Sequence, residues 1–209
     1  MFGRSLTSNE RQLLMQLESF VKEKHARLEE HDYSHVLQVT EFAIEIASNI
    51  EEEVDPMVVI CGALLHDIGR TMSDDMHGLI GGAMAEELLR SLPLTREEID
   101  RITKVIVRHT PTSHVAPESV EEKIVHDADG LDRLGAMGLL RGFIGKEEKS
   151  MVEILERYMS KRVKDYDMLF FPISRGIGKK LDAEMRELIS LFTKRLNERK
   201  QTVEELQLP

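Results

Sequence analysis

Apolar residues recur along this chain at three- and four-residue spacing, and the pattern predicts helix after helix. Thr7-Ser8-Asn9-Glu10 has the form of a capping box ahead of Leu13, Leu14, Leu17, Phe20 and Val21. Asp32 is placed to cap a second helix with the stripe Val36, Val39, Phe42, Ala43, Ile46 and Ala47. Asp55-Pro56 opens a third, with proline at the first helical position. Its residues Met57 to Leu65 are nearly all apolar, so this helix should be buried on most sides, and Gly69 is placed to end it just past His66-Asp67. A fourth helix is predicted after Gly78, with Ala83, Met84, Leu88 and Leu89. A fifth follows the capping box Thr95-Arg96-Glu97-Glu98, carries Ile99, Ile102, Ile106 and Val107, and stops at Pro111. Residues 118–142 read as two short helices around Asp127-Ala128-Asp129-Gly130. The remainder reads as helices near 150–164 and 178–199, joined by Phe170-Phe171-Pro172, with a solvated helix face after Lys194 and a frayed tail over 200–209. No strand-length alternation competes with these patterns. The expectation is an all-α helical bundle forming a single domain over residues 1–209.

Composition narrows the function more than the fold. With 41% hydrophobic and 32% charged residues the chain reads as a soluble globular protein. A net charge of −10 offers no basic footprint for duplex nucleic acid, so an anionic ligand would need a metal and a few local cations. The longest apolar run, 57–65, is too short to span a bilayer, and Met1 to Leu6 contain no apolar run of the secretory kind. The single cysteine, Cys61, lies inside the apolar run and reads as an inert buried thiol. A cytoplasmic protein with no membrane or duplex partner is expected, its oligomeric state left open.

The chemistry is concentrated at His66-Asp67, an ionisable pair closing the most apolar segment of the chain. Burying such groups costs several kcal/mol per unpaired charge. A divalent cation offsets that cost, because imidazole and carboxylate both ligate it. His35 falls on the inward face with Val39, Phe42 and Ile46, and Asp127 on the face of Val120 and Ile124. Alone, His35 would be an ordinary core histidine and Asp127 a helix cap. Four inward ligand-type residues from three helices point instead to a metal.

The order His35, His66-Asp67, Asp127 resembles the H…HD…D signature of the HD-domain superfamily of metal-dependent phosphohydrolases, and His66-Asp67-Ile68-Gly69 resembles its HDIG variant. The flanks Asp32-Tyr33-Ser34-His35-Val36, Asp127-Ala128-Asp129-Gly130-Leu131-Asp132 and Gly135-Ala136-Met137-Gly138 are similar to those of small stand-alone HD hydrolases, some of which act on nucleoside triphosphates. The likeness covers roughly residues 25–190. It departs at Arg70, where HDIG proteins usually carry lysine, and at Gln38, where the stand-alone hydrolases often carry arginine. His31-Asp32 is a second HD dipeptide, and as a dipeptide alone it has no weight.

The resemblance implies a divalent ion (Mn, Ni, Co, Fe or Mg) on His35, His66, Asp67 and Asp127, and hydrolysis of a small phosphorylated substrate, a nucleotide above all. Asp67 or Asp127 would orient the attacking water. His77 and His109 would protonate the leaving oxygen, contact phosphate or ligate a second metal. The expectation is that one ion suffices and that His109 is proton donor or phosphate contact. Arg70, and less directly Arg141, would bind phosphate, and Asp132 would accept a hydrogen bond from a ligand imidazole. His25, His31, His114 and His126 are expected at the surface or behind the ligands. Two other readings remain: a two-iron oxygenase, which needs both His77 and His109 on metal, and a sensor that binds nucleotide or metal without useful turnover.

Overall fold

The computed structural model of the chain describes residues 2–29, 31–110, 115–146, 148–158 and 166–206. Among these no strand forms; an isolated bridge joins Phe2 to Val54. Helix α1 (Ser8–His25) begins at Thr7, whose capping box is complete in both directions. Helix α2 (Tyr33–Asn49) begins at Asp32, whose carboxylate accepts from the His35 N–H. Helix α3 (Pro56–Leu65) begins at Asp55, which accepts from the Met57 N–H. After a 3-10 turn (Ile68–Thr71) come α4 (His77–Leu89), α5 (Arg96–Arg108, capped by Thr95) and α6 (Val120–Asp132, capped by Ser119). Then follow α7 (Gly135–Arg141), α8 (Met151–Glu153) leading into a π-turn (Ile154–Tyr158), and α9 (Pro172–Glu205).

Helix α3 lies in the middle, as its lack of a polar face requires, packed by α1, α2, α5 and α6. Met57, Val59, Cys61, Ala63 and Leu65 have no exposed surface. Burial pushes the Cys61 thiol far above its usual range, so it is inert.

Several boundaries differ from the sequence expectation. Gly69 does not end α3 in a left-handed conformation, since only Gly135 and Gly145 have positive φ among the described glycines. It lies in the 3-10 turn, where a Cβ would come within 2.0 Å of the His77 carbonyl oxygen and 2.6 Å of the Gly81 nitrogen. Glycine there lets the turn rest directly on the backbone of α4. That helix starts at His77, ahead of Gly78. Asp127-Ala128-Asp129-Gly130 is not a break: α6 runs through it, and the chain turns at Gly135, where φ is +71°. The charged stretch after Lys194 is helical to Glu205. Pro111 and His114 lie outside the described residues, as does 207–209 of the expected tail.

Candidate metal centre

Helix α3 stops at Leu65, and Asp67 leaves helical geometry with φ −102° and ψ 10°. This departure brings the adjacent His66 and Asp67 side chains to one point, which a continued helix would set about 100° apart. The Asp67 carboxylate is 1% exposed and is ringed by imidazoles. Near its Oδ2 stand His31 Nδ1 at 2.6 Å, His35 Nε2 at 3.2 Å, His66 Nε2 at 3.6 Å and Arg70 Nε at 2.8 Å. Near its Oδ1 stand His77 Nε2 at 3.4 Å and His109 Nε2 at 3.5 Å. His35, His66, Asp67, His77 and His109 are thus brought together.

The outer nitrogens of these rings are all engaged. Nδ1 of His66 reaches the Ala63 carbonyl (2.8 Å), that of His77 the Asp74 carbonyl (2.7 Å) and that of His109 the Ile106 carbonyl (2.7 Å). Nδ1 of His35 reaches Asp132 Oδ2 at 2.6 Å. Carbonyl and carboxylate oxygens only accept, so each ring donates through Nδ1 and turns Nε2 inward as its remaining atom. This is the orientation that metal-binding histidines adopt.

Three observations fit this set to a cation. His35 Nε2 and His66 Nε2 are 3.0 Å apart, and two lone pairs face each other there unless something positive lies between. Oδ1 of Asp67 and Nε2 of His109 are buried 3.5 Å apart without a hydrogen-bond partner. Ligands about 2.1 Å from an ion stand roughly 3.0–3.4 Å from one another in octahedral or tetrahedral arrangements, and the separations among His35, His66 and Asp67 run from 3.0 to 3.6 Å. Without an ion the charges are balanced by protons. Burial pulls His35 down, but Asp132 and Asp67 overcome it and hold its pKa at about 9. Burial lowers His66 well below its usual value and lowers His77 as well. Burial would raise Asp67, yet His66, His109, His31 and His35 keep it well below the carboxylate range.

The fourth expected ligand is elsewhere. Asp127 is fully buried, but its carboxylate accepts the backbone N–H groups of Phe170 and Phe171 at 2.9–3.0 Å, tying α6 to the start of α9. Asp129 faces the histidines instead, with Oδ1 3.7 Å from His35 Nε2 and Oδ2 accepting from Arg133 at 2.7 Å. His35, His66 and Asp129 form one of the groups able to hold an ion. Helix α6 is buried almost all round, so an inward face did not single out one aspartate. The usable signal was Asp132, three residues on and on the same face as Asp129.

Arg141 also departs from its expected role as a phosphate contact. It is 8% exposed and reaches Asp132 Oδ2 (3.0 Å), Asp32 Oδ1 (3.3 Å) and Ser34 Oγ (3.1 Å). It therefore stands behind the carboxylate that aims His35. Asp132 accepts from His35 Nδ1 at 2.6 Å. His25 lies behind the site as expected of it, whereas His31 reaches the site itself. His31 touches Asp67, and His25 is completely buried, donating through Nδ1 to the His31 carbonyl at 2.6 Å. His126 is buried edge-on to Phe170 at 5.2 Å, away from Asp67.

Comparison with known proteins adds family context. The HD domain family matches residues 32–134. A tRNA (cytidine(56)-2'-O)-methyltransferase of Thermoplasma volcanium is 29% identical over 147 residues, 63% of this chain, and this chain spans 37% of that protein's length. A dihydroneopterin 2',3'-cyclic phosphate phosphodiesterase of Methanocaldococcus jannaschii is 34% identical over 125 residues, covering 52% of this chain and 48% of the relative. Bacillus subtilis YpgQ, solved in complex with ADP, superposes with a TM-score of 0.69 over 87% of this chain and 97% of its own at 23% identity, a likeness of fold.

Proposed function

We propose that this chain, which belongs to the HD-domain superfamily, is a metal-dependent phosphohydrolase that cleaves a phosphoester or phosphoanhydride bond of a nucleotide. The observation that carries the reading is Asp67, a carboxylate 1% exposed and ringed by five imidazoles at 2.6–3.6 Å, four of them tethered through Nδ1. The phosphodiesterase relative and the ADP bound to YpgQ support a phosphorylated, nucleotide-like substrate.

His35, His66, Asp67 through Oδ2, and Asp129 would hold the ion. When bound, a divalent cation lowers the pKa of water and neutralises charge developing on a phosphoryl group. Asp67 would orient the attacking water, because its second oxygen stays turned towards His77 and His109. His109 would hold at Nε2 the proton that passes to the leaving oxygen, its ring fixed by the Ile106 carbonyl. Arg70, held at Nε by Asp67, would keep its guanidinium charge beside the reacting phosphoryl group.

The test is a nucleotide and phosphate-ester panel assayed with protein reloaded with manganese, cobalt, nickel, iron or magnesium. Turnover that appears with metal and vanishes with chelator is expected. Retained metal with no turnover on any compound would favour the sensor reading. The oxygenase reading also gains from the structure, since His77 and His109 both face Asp67 Oδ1. Two irons per chain with dioxygen consumption would establish it instead.

A further inference from the structure

We propose that the cleft lined by Arg27, His31, Arg70 and Gly145 beside the metal centre binds the phosphate chain of a di- or triphosphate substrate, a reading that deepens the hydrolase proposal and rests on it. Access is the first ground. Of the side chains close to Asp67, His35, His66, His77 and His109 are at most 2% exposed, whereas His31 is 24% and Arg70 13% exposed. Both of the latter line the same cleft, whose volume is about 520 Å³. A phosphoryl group reaching Asp67 by this side passes between them.

Charge is the second ground. The chain carries −10 overall, so a polyanion needs local cations. Arg27 lines the cleft and is exposed, yet no hydrogen bond or ion pair engages it among the described residues. Arg70 is anchored by its Nε on Asp67 and by Nη2 on His77 Nε2 at 3.3 Å, while Nη1 reaches Asp74 at 3.3 Å. Asp74 is 84% exposed, and a pair of that kind is weak enough for a phosphate to displace. The other acid among the described residues that line the cleft, Glu29, is exposed and can turn to water.

Size is the third ground. Pockets for small ligands run from about 300 to 1,000 Å³, and this one exceeds what a single phosphoryl group fills. At the rim Gly145, with φ +68°, presents backbone without a side chain. The centre would take the phosphoryl group under attack, and Arg27, with the Arg70 Nη1 that a phosphate frees from Asp74, would hold the phosphates that are not.

Calorimetric titration of the manganese-loaded full chain with inorganic diphosphate and with orthophosphate tests this. Wild type should bind diphosphate more tightly than orthophosphate. Arg27→Ala should weaken diphosphate binding about tenfold, the scale of one charge-assisted hydrogen bond, and leave orthophosphate binding and metal content unchanged. Arg27→Lys should recover part of the loss, and Arg186→Ala on the exposed face of α9 should change nothing. Wild type that prefers orthophosphate or binds neither anion, or Arg27→Ala that binds diphosphate as wild type does, overturns the subsite. The nucleotide assays separate the two proposals. Arg27-dependent diphosphate binding without turnover leaves the subsite standing and removes the hydrolase, whereas turnover indifferent to Arg27 does the reverse.

Discussion

On the Oδ2 side of Asp67, His35 is aimed by a carboxylate, Asp132, that is itself met by Arg141; on the Oδ1 side, His77 and His109 are aimed through Nδ1 by backbone carbonyls, and Arg70 Nη2 meets His77 Nε2 at 3.3 Å. A carboxylate behind an imidazole makes the ring a more basic donor and fixes it more firmly than a neutral carbonyl does. The Oδ2 side also adds the carboxylate of Asp129, while the Oδ1 side has only the shared Asp67 oxygen. The first half has the donor set that could hold a cation. On that reading the second half would set the His77 and His109 Nε2 atoms beside the cation, where a proton or a weaker second ion would sit.

The change that breaks both halves together is Asp67→Ala. Retained metal should fall to background and hydrolysis should be lost, while the circular dichroism spectrum stays helical. Metal bound at the wild-type level in this variant would place the ion elsewhere. Next comes the contrast between two aspartates one residue apart from being neighbours on α6. Asp129→Ala should lose metal through gel filtration. Asp127→Ala should keep it, but should destabilise the fold, because the Phe170 and Phe171 N–H groups lose their acceptor. Each buried group so orphaned costs about 1–3 kcal/mol, and each kcal/mol lowers the melting midpoint by roughly 2–4 °C in a chain of this length. Reversed phenotypes, read by elemental analysis and thermal melts, would restore Asp127 as the ligand.

That contrast also marks how far the sequence could be read. The helix starts at Thr7, Asp32, Asp55 and Thr95 were legible because capping is local chemistry: a short polar side chain and the N–H groups two or three residues on. His35, His66 and Asp67 were legible because ionisable residues stood out against apolar stripes. Asp129 was not, since α6 offers apolar neighbours on nearly every side and both aspartates are buried. His31 lies between α1 and α2, where no periodicity assigns a face, and only tertiary packing turns it to Asp67. The same limit hid Arg141, whose partners Asp32, Ser34 and Asp132 are separated from it by up to 109 positions.

The two halves can be separated through His109. On the one-ion reading, His109→Ala keeps close to one tight metal per chain and loses about 10²–10⁴-fold in turnover, the scale of removing a group that transfers a proton. Wild type that carries two ions and loses one of them in His109→Ala would make the Oδ1 half a metal site in its own right. Elemental analysis before and after dialysis distinguishes the outcomes.

The smallest expected effect lies furthest from the ion and asks whether charged backing is what sets the Oδ2 half apart. Arg141 touches no ligand directly and acts on His35 through Asp132. Its removal leaves Asp132 buried with less positive charge near it, so His35 should be aimed less firmly. Metal affinity should fall about 10–100-fold, as is usual when a group behind a ligand is lost. At saturating metal most of the turnover should return, and KM for substrate should stay near the wild-type value, because on this geometry Arg141 does not meet the phosphate. Arg141→Lys keeps the charge but loses the fork that spans Asp132, Asp32 and Ser34, and should recover affinity only in part. A raised KM with unchanged metal affinity would return Arg141 to the phosphate-binding role that its sequence position first suggested.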